Sequence, residues 1–184
     1  MPADTQILIH VGRFDHQKNH ALLVDAFAAL AQRRPSVVLL LVGGGPLEES
    51  IRARARDLGV HDRIRFCGRR ADVARLLSAA DAFVFPSHHE GLPLSCLEAQ
   101  AAGLPLVLSD RITPEVVVVP ERVTMLPLDS AETWADGIEV ALRQEPDREG
   151  GPNAVARSPF DIRRSTESLL AMYATQTGTK AVAA

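Results

Sequence analysis

Two cations and a glycine stand at a spacing that could hold a charged ligand. Gly12 and Arg13 directly follow a short apolar run, and Lys18 comes five residues after Arg13, just before a predicted helix. An arginine fork and a lysine point charge on one loop suit a diphosphate. An ordinary exposed loop explains the same residues, so spacing alone leaves both interpretations open.

A second group of polar residues lies in the segment PSHHEGLPLSCLEA, residues 86–99. Gly91 allows a backbone conformation that side chains disfavour, and Pro93 suits the start of a helix whose free amides would attract an anion. Glu98 stands among apolar neighbours one turn into that helix, which predicts a buried carboxylate that needs a partner. An arginine of the protein and the paired hydroxyls of a ribose are equally supported as that partner.

Other types of site are disfavoured by spacing. His88, His89 and Glu90 are adjacent, but no His-Glu-x-x-His and no other cluster has the spacing of metal ligands, so no metal site is predicted. No nucleophile elbow supports a Ser-His-Asp triad. The three glycines at 43–45 are followed by Glu48 where a dinucleotide motif has its third glycine, and they make no P-loop. A tight turn explains them better than close approach to a ligand.

Alternating apolar runs and amphipathic segments would position these residues. We predict strands at 7–11, 37–42, 64–67, 82–85, 106–108 and 123–126, and helices at 20–34, 46–58, 71–80, 94–102, 130–143 and 160–173. This alternation predicts an α/β fold, a single Rossmann-like doubly wound domain with a mostly parallel sheet of about six strands. Ligands of such sheets lie beyond the carboxyl ends of the strands, where segments 12–19, 43–45, 68–70 and 86–93 fall.

The chain divides by composition into four predicted parts. Residues 1–144 form the Rossmann-like domain, residues 145–158 a linker, residues 159–174 a helix that packs on the domain, and residues 175–184 a flexible tail. The length of 184 residues is enough for one independently folding domain.

Composition restricts partners and compartment. The net charge of −3 predicts no nucleic-acid binding, and the clustered arginines, including Arg69 and Arg70, are interpreted as solvated faces. Cys67 and Cys96 lie in apolar runs, which predicts buried free thiols in a reducing compartment. Because no apolar run reaches the roughly 20 residues of a membrane span and no signal peptide is visible, we expect a cytoplasmic protein.

Several segments, taken in order, resemble the family-four retaining glycosyltransferases of the GT-B fold. They are GRFDHQKNHALLVDAF, LLLVGGGPL, RIRFCG, DAFVFPSHHEGLPLSCLEAQAAGLPLVLSD and FDIRRSTESLLAMY, and together they cover residues 7–174. The Glu-x7-Glu pair formed by Glu90 and Glu98, combined with Gly-Arg-x4-Lys, makes the resemblance specific. The segment 87–110 is most similar to bacterial enzymes that assemble surface polysaccharides.

The resemblance implies a role for each candidate residue. Arg13 and Lys18 would hold the diphosphate of the donor and stabilise it as it leaves, which is the main electrostatic contribution expected in such a transfer. Glu90 would bind the transferred sugar near its C3 and C4 hydroxyls, and Glu98 the ribose. Gly12 would line the diphosphate site. The strand end at Cys67 and Gly68 would meet the base, and the backbone at Gly91, Leu92, Leu94 and Ser95 would face the sugar and the distal phosphate.

The resemblance also implies what the chain binds and what it lacks. The donor would be a nucleotide-diphosphate sugar, first a UDP-sugar and next a GDP-sugar, used without a metal cofactor. GT-B enzymes place their site between two Rossmann-like domains, and this sequence corresponds to the second one. The N-terminal acceptor domain or a partner chain would therefore be missing, and peripheral membrane contact would occur only through that missing half. A non-catalytic nucleotide-sugar-binding module is the alternative, and a related epimerase or phosphorylase is a third reading.

Overall fold

A computed structural model describes residues 5–177 as one six-stranded sheet with helices on both faces. All strand pairs are parallel, and the strand order is β3-β2-β1-β4-β5-β6. The predicted doubly wound α/β fold is confirmed. The strands are β1 (Gln6–Val11), β2 (Val37–Val42), β3 (Ile64–Gly68), β4 (Ala82–Phe85), β5 (Leu106–Ser109) and β6 (Val123–Leu126).

Seven α-helices connect or follow these strands. They are α1 (His20–Arg33), α2 (Glu48–Asp57), α3 (Val73–Ala79), α4 (Leu94–Ala101), α5 (Ala131–Ala141), α6 (Gly150–Arg157) and α7 (Ile162–Thr177). No helix within residues 5–177 is long and apolar enough to cross a membrane.

The strands are apolar throughout because both faces of the sheet are covered. One core, around Phe27, Leu39 and Trp134, lies on one side of the sheet, and a second core, around Phe83 and Leu97, lies on the other. Such two-sided burial is what continuous Val/Leu runs predict for a parallel sheet.

The strand order places a topological switch point between β1 and β4. From β1 the chain winds outward through β2 and β3, and it then returns to the other side of β1 to build β4, β5 and β6. The loops that follow β1 and β4 therefore diverge to opposite faces and leave a crevice at the carboxyl ends of these two strands.

The glycine-rich turn at 43–45 packs against the loop that follows β1. Gly43 has a φ of 141°, and a Cβ atom there would lie 1.9 Å from the carbonyl oxygen of Gly12. A Cβ atom on Gly45 would lie 2.5 Å from the carbonyl oxygen of Phe14. Contact with the neighbouring backbone therefore accounts for both glycines, as the tight-turn interpretation expected.

The segment 145–158, predicted as a linker, instead contains α6 and packs against α4. A Cβ atom on Gly151 would lie 2.4 Å from the carbonyl oxygen of Gln100. Arg148 donates hydrogen bonds to the carbonyl oxygens of Leu77, Ala80 and Ala102. The Gly-Gly-Pro sequence resembled a loop because the groups that stabilise this helix lie far away along the chain.

Helix α7 differs from its prediction as well. The helix forms, but these apolar side chains, predicted to pack on the domain, are more than half exposed: Ile162, Leu169, Leu170, Met172 and Tyr173. Phe160, which precedes the helix, packs against the core. Residues 175–177, predicted as flexible tail, belong to α7, and the rest of the predicted tail lies outside the described residues.

Candidate functional site

The loop at 12–19 holds its cations on a well-anchored backbone. Phe14 is buried and stacks on His20 with ring centroids 4.2 Å apart. The Asp15 carboxylate accepts a hydrogen bond from the amide of Lys18, and Asn19, in the left-handed conformation with φ 53°, caps α1. Arg13 is exposed, and its guanidinium makes no hydrogen bond or ion pair within residues 5–177.

Lys18 and Glu90, 72 residues apart, meet at the switch point. Lys18 Nζ lies 2.6 Å from Glu90 Oε1, and the two side chains are only 17 % and 8 % exposed. The Lys18 ammonium also lies 4.8 Å from the ring centroid of Phe85, the last residue of β4. Glu90 pairs with Ile112 through an isolated parallel bridge. The fold thus brings together two of the three residues predicted to be catalytic.

Two further hydrogen bonds join the same loops. The carbonyl of Gln17 accepts from the amide of His88 at 2.8 Å, and the Gln17 side-chain amide donates to the carbonyl of His89 at 2.9 Å. The histidine side chains themselves are exposed. Sequence analysis missed Gln17, because nothing in the local pattern points to partners on another loop.

Glu98 is exposed, so its predicted burial is wrong. Its neighbours Leu97 and Ala99 are buried, but Glu98 lies on the opposite face of α4. The Glu98 carboxylate makes no hydrogen bond or ion pair with any described residue, which eliminates the arginine partner within that part of the chain. It borders a depression between α3 and α4 that is lined by Ala74, Leu77, Ser78, Ala101 and Ala102.

The start of α4 is open to solvent. Leu92 and Leu94 are 43 % and 67 % exposed, and Ser95 is half-buried. Pro93 provides no side-chain hydrogen bond to this helix end, so no side chain competes with an anion there. Gly91 is exposed, its φ is not positive, and a Cβ atom would meet nothing within 4 Å. The backbone conformation that Gly91 would allow is therefore not the one adopted.

The end of β3 contacts the glycine turn that follows β2. Gly68 has a φ of 64°, and its carbonyl accepts from the amide of Gly43 at 2.8 Å. Cys67 is half-buried instead of buried as predicted, and this desolvation raises the pKa of its thiol. The side chain of Arg69 leans over the glycine turn, since its Cγ would lie 3.7 Å from a Cβ atom on Gly44.

Two buried histidines lie beneath the 12–19 loop and were not predicted as site residues. His10 Nδ1 lies 2.8 Å from the carbonyl of Val84, which can only accept, so Nδ1 carries the proton. The rings of His10 and His20 are 4.6 Å apart, and a Cβ atom on Gly12 would lie 2.8 Å from His10 Nε2. Burial lowers the pKa of His10 well below its usual value and that of His20 to about 4, so both are neutral near pH 7.

Cys96, as predicted, is a buried free thiol, and its desolvation raises its pKa. Within residues 5–177, no group of three or more His, Cys, Asp and Glu side chains is placed to hold a metal ion.

Residues 1–151 match the protein family described as Glycosyl transferases group 1. The chain belongs to this family. EpsF of Bacillus subtilis, a provisionally named glycosyltransferase, is 37% identical over 173 residues, which are 93% of this chain and 45% of EpsF. The chain thus spans about half the length of the curated relatives it matches.

Several solved structures share the fold. The sucrose-phosphate synthase of Thermosynechococcus elongatus superposes with a TM-score of 0.82 at 27% identity, over 98% of this chain and 47% of the synthase. HepE of Anabaena, crystallised with UDP and glucose, gives a TM-score of 0.81 at 21% identity, over 94% of this chain and 49% of HepE. The six-stranded sheet therefore corresponds to one Rossmann-like half of a GT-B glycosyltransferase.

Proposed function

We propose that this chain is the donor-binding half of a retaining glycosyltransferase that moves a sugar from a nucleotide-diphosphate sugar to a glycan or lipid-linked acceptor. The observation that carries the proposal is the meeting of Lys18 and Glu90 at the switch point, on the two loops that diverge from neighbouring strands. This crevice is where doubly wound sheets bind nucleotides.

The charges around the crevice suit the chemistry of the transfer. As the sugar leaves, negative charge builds on the diphosphate and positive charge on the anomeric carbon. The exposed Arg13 guanidinium, the Lys18 ammonium and the open start of α4 would stabilise the diphosphate, and Glu90 would hold the sugar. The Lys18 ammonium and the helix amides are already in place at the crevice, which limits the reorganisation that the transfer requires.

Nucleoside recognition follows from the positions of the remaining candidates. The exposed Glu98 carboxylate would accept hydrogen bonds from the two ribose hydroxyls, and the strand end at Cys67 and Gly68 would face the base. A UDP-sugar is the first donor to test, because HepE shares the fold and was crystallised with UDP and glucose. A GDP-sugar is the second.

The acceptor side belongs, in this proposal, to a further domain or a partner chain. Relatives are about twice as long as this chain. Positioning two reactants supplies roughly 7–11 kcal/mol of barrier reduction, so the 184-residue chain alone should bind donor without transferring sugar at a useful rate. We further propose that binding needs no metal ion and that the protein acts in the cytoplasm, where its free thiols would stay reduced.

Calorimetric titration tests the proposal. The purified chain is titrated with UDP, GDP, their sugars and the corresponding nucleosides, each with and without EDTA. Binding of a nucleoside diphosphate, much weaker binding of its nucleoside and no effect of EDTA are expected. Absence of any nucleotide binding would remove the proposal. Binding with robust transfer to an added glycan acceptor would refute the proposal that the chain lacks its acceptor side, unless a second copy of the chain supplied that side.

A further inference from the structure

Gln17 joins the two loops of the crevice at two points. Its carbonyl accepts from His88 and its side-chain amide donates to His89, at 2.8 Å and 2.9 Å. The next residue along each loop is Lys18 or Glu90, and these side chains meet at 2.6 Å. The three contacts form one continuous ladder between the loops.

The three contacts differ in what a ligand would do to them. A bound diphosphate would attract Lys18 and a bound sugar would engage Glu90, so the ion pair between them weakens when both are occupied. The backbone bond between Gln17 and His88 persists, and the bridge to Ile112 holds Glu90 on its other side. The Gln17 side chain is the second cross-link between the two loops, and it reaches the carbonyl of the residue directly before Glu90.

We propose that Gln17 is a positioning residue, which keeps Glu90 in register with Lys18 so that one nucleotide sugar contacts both. This inference rests on the proposed function. It assigns Gln17 no contact with the donor, because its amide is already engaged with the opposite loop.

The proposal makes a prediction that a purely structural role does not. A nucleoside diphosphate without sugar depends on the cations of loop 12–19, whereas the sugar depends on Glu90 in loop 86–93. Loosening the cross-link should therefore reduce the affinity gained from the sugar and leave the affinity for the diphosphate nearly unchanged. One neutral hydrogen bond corresponds to an effect of about two- to tenfold.

The test compares Gln17→Ala and Gln17→Glu with the wild type. His16→Ala is the matched control, because His16 lies next to Gln17, is exposed, and its side chain contacts no described residue by hydrogen bond or ion pair. Calorimetric titration with UDP, UDP-glucose, UDP-N-acetylglucosamine, GDP and GDP-mannose gives the gain in affinity due to the sugar. Thermal unfolding of each variant confirms that it is folded.

We expect the sugar-dependent gain to fall about two- to tenfold in Gln17→Ala, and at least as far in Gln17→Glu, whose carboxylate has no proton to donate to the His89 carbonyl. His16→Ala should keep the wild-type gain.

Each other outcome is informative. Wild-type chain that binds no nucleotide contradicts the proposed function itself. Wild-type binding with an unchanged gain in both Gln17 variants overturns the positioning role and leaves the proposed function standing. Equal loss of affinity for the nucleoside diphosphate and the nucleotide sugar also overturns the positioning role, because it indicates a structural role alone. A wild type in which no sugar adds affinity overturns it as well.

Discussion

The Lys18–Glu90 ion pair allows the crevice to be probed without any ligand. Glu90→Gln keeps the shape of the side chain but leaves the Lys18 ammonium, 17 % exposed, beside a neutral amide. At 2.6 Å and an effective dielectric constant of about 20, the gross attraction is about 6 kcal/mol. Desolvation of two largely covered groups cancels much of it. We expect a net coupling of about 1–3 kcal/mol, above that of exposed pairs and below the cost of breaking a fully buried one.

A double-mutant cycle measures this coupling. The free energy of unfolding in urea is measured for the wild type, Glu90→Gln, Lys18→Met and the double variant. The sum of the decreases in the two single variants should exceed the decrease in the double variant. The pair of Arg56 and Glu49, whose side chains are 51 % and 78 % exposed, is the control and should couple by less than about 1 kcal/mol. Additivity at the crevice within about 0.5 kcal/mol would mean that the pair does not form in solution, and the reasoning would be refuted.

The remaining predictions concern ligand, backbone and pH. Arg13→Ala should weaken UDP binding by about 1.5–3 kcal/mol and leave uridine binding unchanged, and equal losses in calorimetry would show that the loop does not touch phosphate. Gly43→Ala should lower the free energy of unfolding by about 3 kcal/mol or more, because its Cβ atom would lie 1.9 Å from the oxygen of Gly12. In the same thermal unfolding assay, Gly91→Ala should stay within about 0.5 kcal/mol of the wild type, because its Cβ atom would meet nothing within 4 Å. Burial lowers the pKa of His20 to about 4, so the unfolded state binds a proton first as the pH falls. The contribution of His20 to stability should be complete above about pH 7 and should fall by about 3 kcal/mol by pH 4. Urea midpoints in His20→Leu should show a shallower fall, and an unaltered slope would contradict the assignment.

The strands were predictable because both faces of the sheet are covered, so that most strands are continuous runs of apolar residues. Each predicted strand ends within one residue of its observed bounds, including the unchanged Val37–Val42. Helix starts were less accurate. Helix α2 begins at Glu48 and not at 46, because Leu47 donates its amide to the carbonyl of Phe14 and belongs to the turn. That contact joins two segments separated in sequence, so local pattern could not reveal it.

The candidate site was predictable in outline and not in orientation. The ends of the parallel strands predicted that segments 12–19 and 86–93 would both lie at the ligand-binding edge of the sheet, and the structure brings the two segments into contact. The apolar neighbours of Glu98 in sequence did not reveal its exposure, because adjacent residues of a helix point to different faces. Gln17, the buried His10 and helix α6 were missed because each is defined by partners on distant segments.

The contacts of Arg148 decide where this domain can be cut or grafted. A chain truncated at residue 144, the predicted end of the domain, would lose the Arg148 guanidinium, which donates to three carbonyl groups at the ends of α3 and α4. It would also remove the packing contact of Gly151 with α4 and the Phe160 side chain that packs against the core. The smallest portable unit therefore extends through Phe160. Helix α7, whose large apolar side chains are more than half exposed, is the segment that chimeras can exchange.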